Sequence, residues 1–485
     1  MSDALKGLKP PLVWKYFGEV VRIPRCSKSE GRIAAYVMET ARRMGLATSQ
    51  DKFGNVVVRK PATRGKEKAP TVVLQGHLDM VCEKNAGVKH DFTKDPLKIV
   101  RKDDVLMADG TTLGADNGIA VATNLAIMED KSVQHGPLEL LFTVDEETGL
   151  TGASNLGKGF VKGKTLLNLD SEEDWVIYVG CAGGRDTTGA WSVSYQRPPA
   201  GSRAARVSVK GLKGGHSGIE IGSGRGNAIK ILGRVLMKLS ALGVRLSSIE
   251  GGNKRNAIPR EAFADVMVPQ KAASRAKSVI REMDKTIRAE FSAVDPGLRI
   301  SLKENAGAKG LKVVALEQQE RILRAISALP HGVTKMSAEV PGLVETSTNV
   351  AVINTSDGRI ALATSQRSSV ASEIEEIGDT VADTFRLSGA DVEQGSGYPG
   401  WKPNLKSPVL ALATAAYRDL FRKDCEVKAV HAGLECGIIG QRYPGMDMIS
   451  FGPTLEAVHS PDEKIHIASV EKFWKFLTEI LRRIK

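Results

Sequence analysis

Thr71-Val72-Val73-Leu74-Gln75-Gly76-His77-Leu78-Asp79 decides how the chain is read. A β-branched apolar run passes into a glycine and then a His-x-Asp pair, which predicts a buried strand with chemistry at its carboxyl end. Similar runs follow at Asn55–Val58, Leu138–Val144 and Thr165–Leu169, with a helical pattern over 117–129 between them. Strands alternating with helices predict an α/β sheet covered on both faces. Three of the runs stop at chemistry: His77, the doublet Glu146-Glu147, and Asp170. In open α/β sheets the ligand crevice lies beyond the carboxyl ends of the strands, so these residues are expected to share one site.

Working outward, Asp116 stands between glycines in Gly114-Ala115-Asp116-Asn117-Gly118, at the start of a helix. An N-cap is the plain alternative for it. A carboxylate can also bridge two cations about 3.5 to 4 Å apart, the usual separation in two-metal hydrolases. Glu146-Glu147 is costly to bury without cations, since adjacent carboxylates repel. If one of the pair binds metal, the other is placed to act as general base. Asp170 opens an acidic run, Asp170-Ser171-Glu172-Glu173-Asp174, whose alternative is a solvated surface loop. His459, in Val458-His459-Ser460-Pro461-Asp462-Glu463, has no local signal, and only the whole set makes it a ligand. One histidine and one carboxylate per cation, with a shared aspartate, gives three protein ligands each and leaves a position for water.

The 485 residues exceed what one core usually holds, so two domains are expected. With 42% hydrophobic and 26% charged residues the composition is that of a folded soluble protein. Around Gly180–Gly184 the alternation breaks, and an inserted α+β domain is expected over 187–389, dividing the catalytic domain into 1–186 and 390–485. Ser27-Lys28-Ser29-Glu30 predicts a capping box for a helix closed by Gly45.

Several function classes recede. The net charge of +12 is scattered and lacks interleaved aromatics, so no nucleic-acid partner is expected. No apolar run approaches the roughly 20 residues of a membrane span. Met1-Ser2-Asp3-Ala4-Leu5-Lys6 lacks the apolar core of a secretion signal, so a cytoplasmic protein is expected, with its five cysteines reduced. Cys436 near His431 suggests a nucleophilic pair, but a small core hydrophobe is the preferred reading. Gly215-His216-Ser217-Gly218-Ile219 fails the serine-hydrolase Gly-x-Ser-x-Gly pattern at its last position.

These motifs, together with His90–Pro96, Gly211–Gly218, Arg255–Glu261 and His431–Gly437, resemble the M20 metallopeptidase family, most closely its bacterial aminoacyl-histidine dipeptidase branch. The resemblance covers nearly the full length. It implies a zinc-peptidase-like catalytic domain with a mixed central sheet flanked by helices, and an inserted α+β lid that pairs into a homodimer or acts within one chain. It implies two divalent metal ions, zinc foremost with cobalt or manganese as substitutes, one on His77 and Asp170, the other on Glu147 and His459. Asp116 would bridge them, Glu146 would be the general base, and Asp79 would orient His77. His216 would stabilise the oxyanion, while Asn256 and Arg367 would hold a small peptide substrate, Xaa-His or carnosine-like. The stretch around Arg367 departs from the enterobacterial version, so the dipeptide preference stays open. The rival is an M20-type amidase acting on N-acyl amino acids, with the same metals and a different pocket. A metal-binding scaffold would need no base beside Glu147.

Overall fold

Strand Val72–His77 is buried along its whole length, as its unbroken apolar run requires. In the computed structural model, which describes residues 3–305 and 311–485, the chain divides into two units. Met1 and Ser2 of the N-terminal segment, and 306–310 of the expected insertion, lie outside the described residues.

The first unit comprises 1–181, 401–429 and 434–485. Its eight-stranded sheet runs in the order 47–50, 56–60, 138–143, 72–77, 165–168, 447–450, 176–181, 426–430. Val72–His77 pairs in parallel with both Leu138–Thr143 and Thr165–Asn168, whereas Val56–Lys60 joins antiparallel, so the sheet is mixed. Helices Pro11–Val20, Ala115–Glu129, Pro408–Phe421 and Ile467–Arg483 bury their apolar faces in one core with Leu74, Leu140 and Leu167. Truncating one of these leucines to alanine would cost about 2–5 kcal/mol, because a packed core relaxes only partly around a void. A four-stranded sheet joins 99–102 and 105–108 to 464–466 and 455–456, seating the segment that carries His459.

The second unit comprises 182–400 and 430–433. It has an antiparallel nine-stranded sheet with helices Ala228–Ser240, Ala273–Glu290, Leu316–Ala328 and Ala371–Leu387, and its own core. Its limits differ from the expected 187 and 389. Gly183–Ser192 pairs along its full length with Arg359–Ser368, and Asp391–Gln394 adds to its other edge, so both borders move outward. Residues 430–433 join it because the N–H of Ala182 is shared between the carbonyls of Val430 and Ala432.

Two expectations are overturned. Cys26 and Cys82 are joined in a disulfide with Cα atoms 5.7 Å apart, leaving Cys181, Cys425 and Cys436 as thiols. A parallel bridge between Cys26 and Met80 brings together cysteines that sequence spacing does not link. The capping box does not form either. Helix Gly31–Arg43 has no side-chain cap, the Ser27 hydroxyl instead donates to Asp79 Oδ2 at 2.8 Å, and Glu30 accepts the N–H groups of Lys28 and Asp145. No helix among the described residues is long and apolar enough to cross a membrane.

Candidate metal centre and the second-unit cluster

The parallel register sets His77 opposite Thr143 and Gln75 opposite Asn168, so His77, Glu146-Glu147 and Asp170 emerge at one edge of the sheet. Gly76 is glycine for lack of space: a Cβ there would lie 2.7 Å from the Cβ of Ala120. Gly114 and Gly118 are small for a different reason. A Cβ on either would lie 2.6 or 2.5 Å from Nη2 of the buried Arg25, whose guanidinium fills the space between them.

Asp116 is the centre of the cluster. Its Oδ1 lies 3.1 Å from His77 Nε2 and its Oδ2 lies 3.2 Å from His459 Nε2. Around the first contact Asp170 Oδ1 approaches His77 Nε2 to 3.3 Å, and around the second Glu147 Oε2 approaches His459 Nε2 to 2.9 Å. Two triads therefore share one aspartate, each with its donor atoms within 4.8 Å of one another. Asp116 does not cap the helix. Its backbone is extended (φ −78°, ψ 111°) and Gly114 occupies the cap position.

Asp79 Oδ1 lies 3.3 Å from His77 Nδ1, a close approach that is not aligned as a hydrogen bond. The same carboxylate accepts the N–H of Glu146 (3.0 Å) and of Glu147 (3.2 Å). Asp79 thus ties the histidine strand to the glutamate doublet. Behind His77, Gln75 and Thr143 both donate to Glu435 Oε2 at 2.6 Å.

The electrostatics are those of an acid-rich pocket. Burial pushes the Glu146 carboxyl well above the usual carboxylate range, opposed by nearby His77. Burial likewise pushes Asp170 up to about 6 and Glu172 up to about 8. Asp116 is held low despite burial, because both histidines donate to it. His459 is raised to about 11 by hydrogen bonds to Asp116 and Glu147. Burial alone would lower His77, but Asp170, Asp116 and Asp79 together raise it well above 6.5.

Divalent cations fit this set. Glu147 Oε1 is buried without a partner, the donors are imidazole nitrogens and carboxylate oxygens, and the crowded negative charge calls for cations. Such ligands suit zinc, cobalt or manganese.

His216, Asn256 and Arg367 lie in the second unit. The short strand Gly215–His216 pairs with Ala257–Ile258, setting His216 beside the exposed Asn256, and both line a cavity of about 910 Å³ with Lys213 and Arg260. The N–H groups of Gly218 and Ile219 approach His216 Nδ1 at 3.3 and 3.2 Å, so the neutral ring carries its proton on Nε2 and can donate from there. Gly218 is small because a Cβ would collide with the carbonyl oxygen of His431.

Arg367 is 7% exposed, forms no ion pair among the described residues, and keeps Nε without a partner. Its Nη1 donates to the Tyr398 hydroxyl at 3.0 Å. His431 Nε2 pairs with Ser347 Oγ at 2.7 Å, and burial, with the charge of Arg367, lowers that imidazole to about 3. Cys436 is fully buried and its thiol is pushed up by burial, which fits the core role and not a nucleophile.

Arg25, Ser27, Glu435 and Glu463 were not marked by sequence as site residues. Their partners are mostly backbone groups far along the chain, and the only local signal was the position of Glu463 four residues after His459.

A model of peptidase family M20/M25/M40 matches residues 73–483. The cytosol non-specific dipeptidase of Escherichia coli (strain K12) is 41% identical over 485 residues, covering 100% of this chain and 99% of that protein. The crystal structure of the aminoacylhistidine dipeptidase of Vibrio alginolyticus matches with a TM-score of 0.91 at 40% identity, over 99% of this chain and 98% of that one. Aminopeptidase PepT of Bacillus cereus shares the fold, with a TM-score of 0.58 at 17% identity over 98% and 99% of the two chains. The chain belongs to peptidase family M20/M25/M40.

Proposed function

We propose that this chain is a cytoplasmic dinuclear-metal dipeptidase that hydrolyses the peptide bond of Xaa-His, carnosine-like and broader dipeptides. The observation that carries the proposal is Asp116, whose two oxygens face His77 and His459 separately, each beside a second carboxylate. His77 and Asp170 would hold one cation, Glu147 and His459 the other, with Asp116 between them; zinc is the first candidate. When bound, two such cations lower the pKa of water and polarise a carbonyl oxygen.

The remaining chemistry belongs to side chains. Glu146 carries no protein hydrogen bond on its carboxylate among the described residues, and burial raises its proton affinity above that of an ordinary carboxylate, the direction a general base requires. It takes a proton from the attacking water and delivers one to the departing amine. The Asp79 carboxylate holds His77 and, by accepting the Glu146 backbone N–H, the base. His216 donates from Nε2 to the oxyanion, Asn256 positions the substrate, and Arg367 receives the C-terminal carboxylate through its planar fork. The second unit serves as a lid that excludes water, acting within one chain or across a homodimer.

The names of the Escherichia coli and Vibrio alginolyticus relatives favour dipeptides over N-acyl amino acids as substrates. A panel of free-amine dipeptides, carnosine and N-acyl amino acids tests this: dipeptides cleaved in preference support the proposal, and cleavage confined to N-acyl amino acids would replace it with an amidase.

A further inference from the structure

Glu463 is 2% exposed, yet no cationic side chain neutralises it by direct contact among the described residues. Its carboxylate is engaged by peptide groups. Oε2 accepts the N–H of Leu113 at 2.8 Å and of Gly114 at 2.9 Å, while Oε1 accepts Ala115 at 2.7 Å and Asp116 at 3.2 Å. Four consecutive N–H groups converging on one anion form a nest, here filled by the protein's own side chain. Both oxygens are occupied, so Glu463 is not a further metal ligand.

The same turn is gripped through the Gly114 carbonyl by a cation, which also ties it to the end of the histidine strand. The fully buried Arg25 donates to the carbonyl of Gly114, and to those of Leu78 at 2.9 Å and Asp79 at 2.6 Å. Burial disfavours the Arg25 charge, and Glu463 is the foremost of the acids that offset it. An anion on the N–H side and a cation on the C=O side thus hold the backbone from which Asp116 projects.

The other end of the clamp carries His459. Glu463 N–H donates to Ser460 O at 3.0 Å, Ser460 Oγ to Ala457 O at 2.7 Å, and Asp462 N–H to Ser460 Oγ at 3.2 Å. Ala457 and His459 are both left-handed, with φ of 54° and 62°. Non-glycine residues enter that region only when their surroundings impose it. The hydrogen-bonded loop therefore ties the backbone of His459 to that of Glu463.

We propose, resting on the dinuclear reading above, that Glu463, with Arg25 as its counter-charge, is the positioning residue that sets Asp116 against His459 and so fixes the spacing of the two cation positions. The side chain acts through Asp116 and His459 and touches neither substrate nor metal.

The test compares Zn²⁺ binding to the full-length wild type, Glu463→Gln and Glu463→Asp, by competition with a chromophoric chelator, with circular dichroism confirming the fold. Gln keeps the shape but turns an amide donor toward N–H groups; Asp keeps the charge on a shorter stem. The expected result is two zinc ions per wild-type chain and a roughly 10–100-fold weaker affinity in folded Glu463→Gln, the usual cost of losing an outer-shell partner, with Glu463→Asp between them. Unchanged zinc affinity in folded Glu463→Gln would overturn the proposal. Failure of both variants to fold would also overturn it, making Glu463 a residue of the fold alone. If the wild type itself fails to take up two zinc ions, the dinuclear reading is what falls.

Discussion

Asp79 Oδ1 accepts the backbone N–H of Glu146 at 3.0 Å. The residue beside His77 therefore also sets the position of the proposed base, and one substitution should disturb both. Asp79→Asn keeps the volume but removes the charge and turns an amide toward His77 or toward the N–H groups. The expected outcome is a fall of about 10–100-fold in kcat/KM together with weakened zinc retention on dialysis. Loss of activity with zinc fully retained would show that Asp79 serves Glu146 alone.

The glutamate doublet should divide its labour. Glu146→Gln is expected to retain both zinc ions by elemental analysis while kcat falls by about 10²–10⁴-fold, the usual worth of a general base. Glu147→Gln is expected to lose metal. If Glu146→Gln also loses a zinc ion, the two roles are assigned the wrong way round.

Arg367 is a buried cation without an ion-pair partner among the described residues, held by Tyr398. Replacing it by alanine should raise KM for dipeptides by ten-fold or more, on the order of the 1.5–3 kcal/mol of a hydrogen bond to a charged group. Dipeptide amides, which lack the carboxylate, should be cut by wild type and variant alike. An equal loss on both substrates would remove Arg367 from carboxylate binding.

His331 gives a pH dependence whose sign follows from its contacts. Its Nδ1 faces Asn227 Nδ2 at 3.3 Å and the N–H of Val350 at 3.4 Å, so it acts as an acceptor. Burial, and then the charge of Lys230, lower the imidazole from 6.5 to about 4. The unfolded chain takes up this proton first on acidification, so the contribution to stability is complete above about 6.5 and is lost as pH falls toward about 4. The wild type should lose more Tm between pH 6.5 and 4 than His331→Gln, whose side-chain oxygen can still accept. Parallel curves would contradict this.

Much of the site was legible because candidate metal ligands at strand ends leave a pattern in the chain. His77 ends a buried parallel strand and Glu146-Glu147 and Asp170 follow two others, and period and burial are local properties. Asp116 was legible as an acid in a glycine-bounded turn and as a candidate bridge, but its conformation was not: Gly114 takes the cap position that the sequence also allowed Asp116, whose side chain faces two histidines. Gly114 and Gly118 pointed to a tight turn without revealing that Arg25 fills the space. Arg25, Ser27 and Glu463 were silent because they bind backbone groups or an acid 50 or more residues away, and such bonds impose no residue pattern on the partner segment. The Cys26–Cys82 pair and the outward shift of the second unit's borders were hidden for the same reason. Each depends on which strands lie side by side, as Gly183–Ser192 lies beside Arg359–Ser368.

Asp116, His77, Asp170, Glu147 and His459 are proposed to hold two catalytic cations. That assignment is tested most directly by measuring hydrolysis of a dipeptide panel including Xaa-His and carnosine before chelation, after exhaustive chelation, and after stepwise return of zinc. Near-complete loss of turnover on chelation is expected, with recovery as two equivalents of zinc are restored. Undiminished hydrolysis by the thoroughly metal-free protein would contradict the assignment.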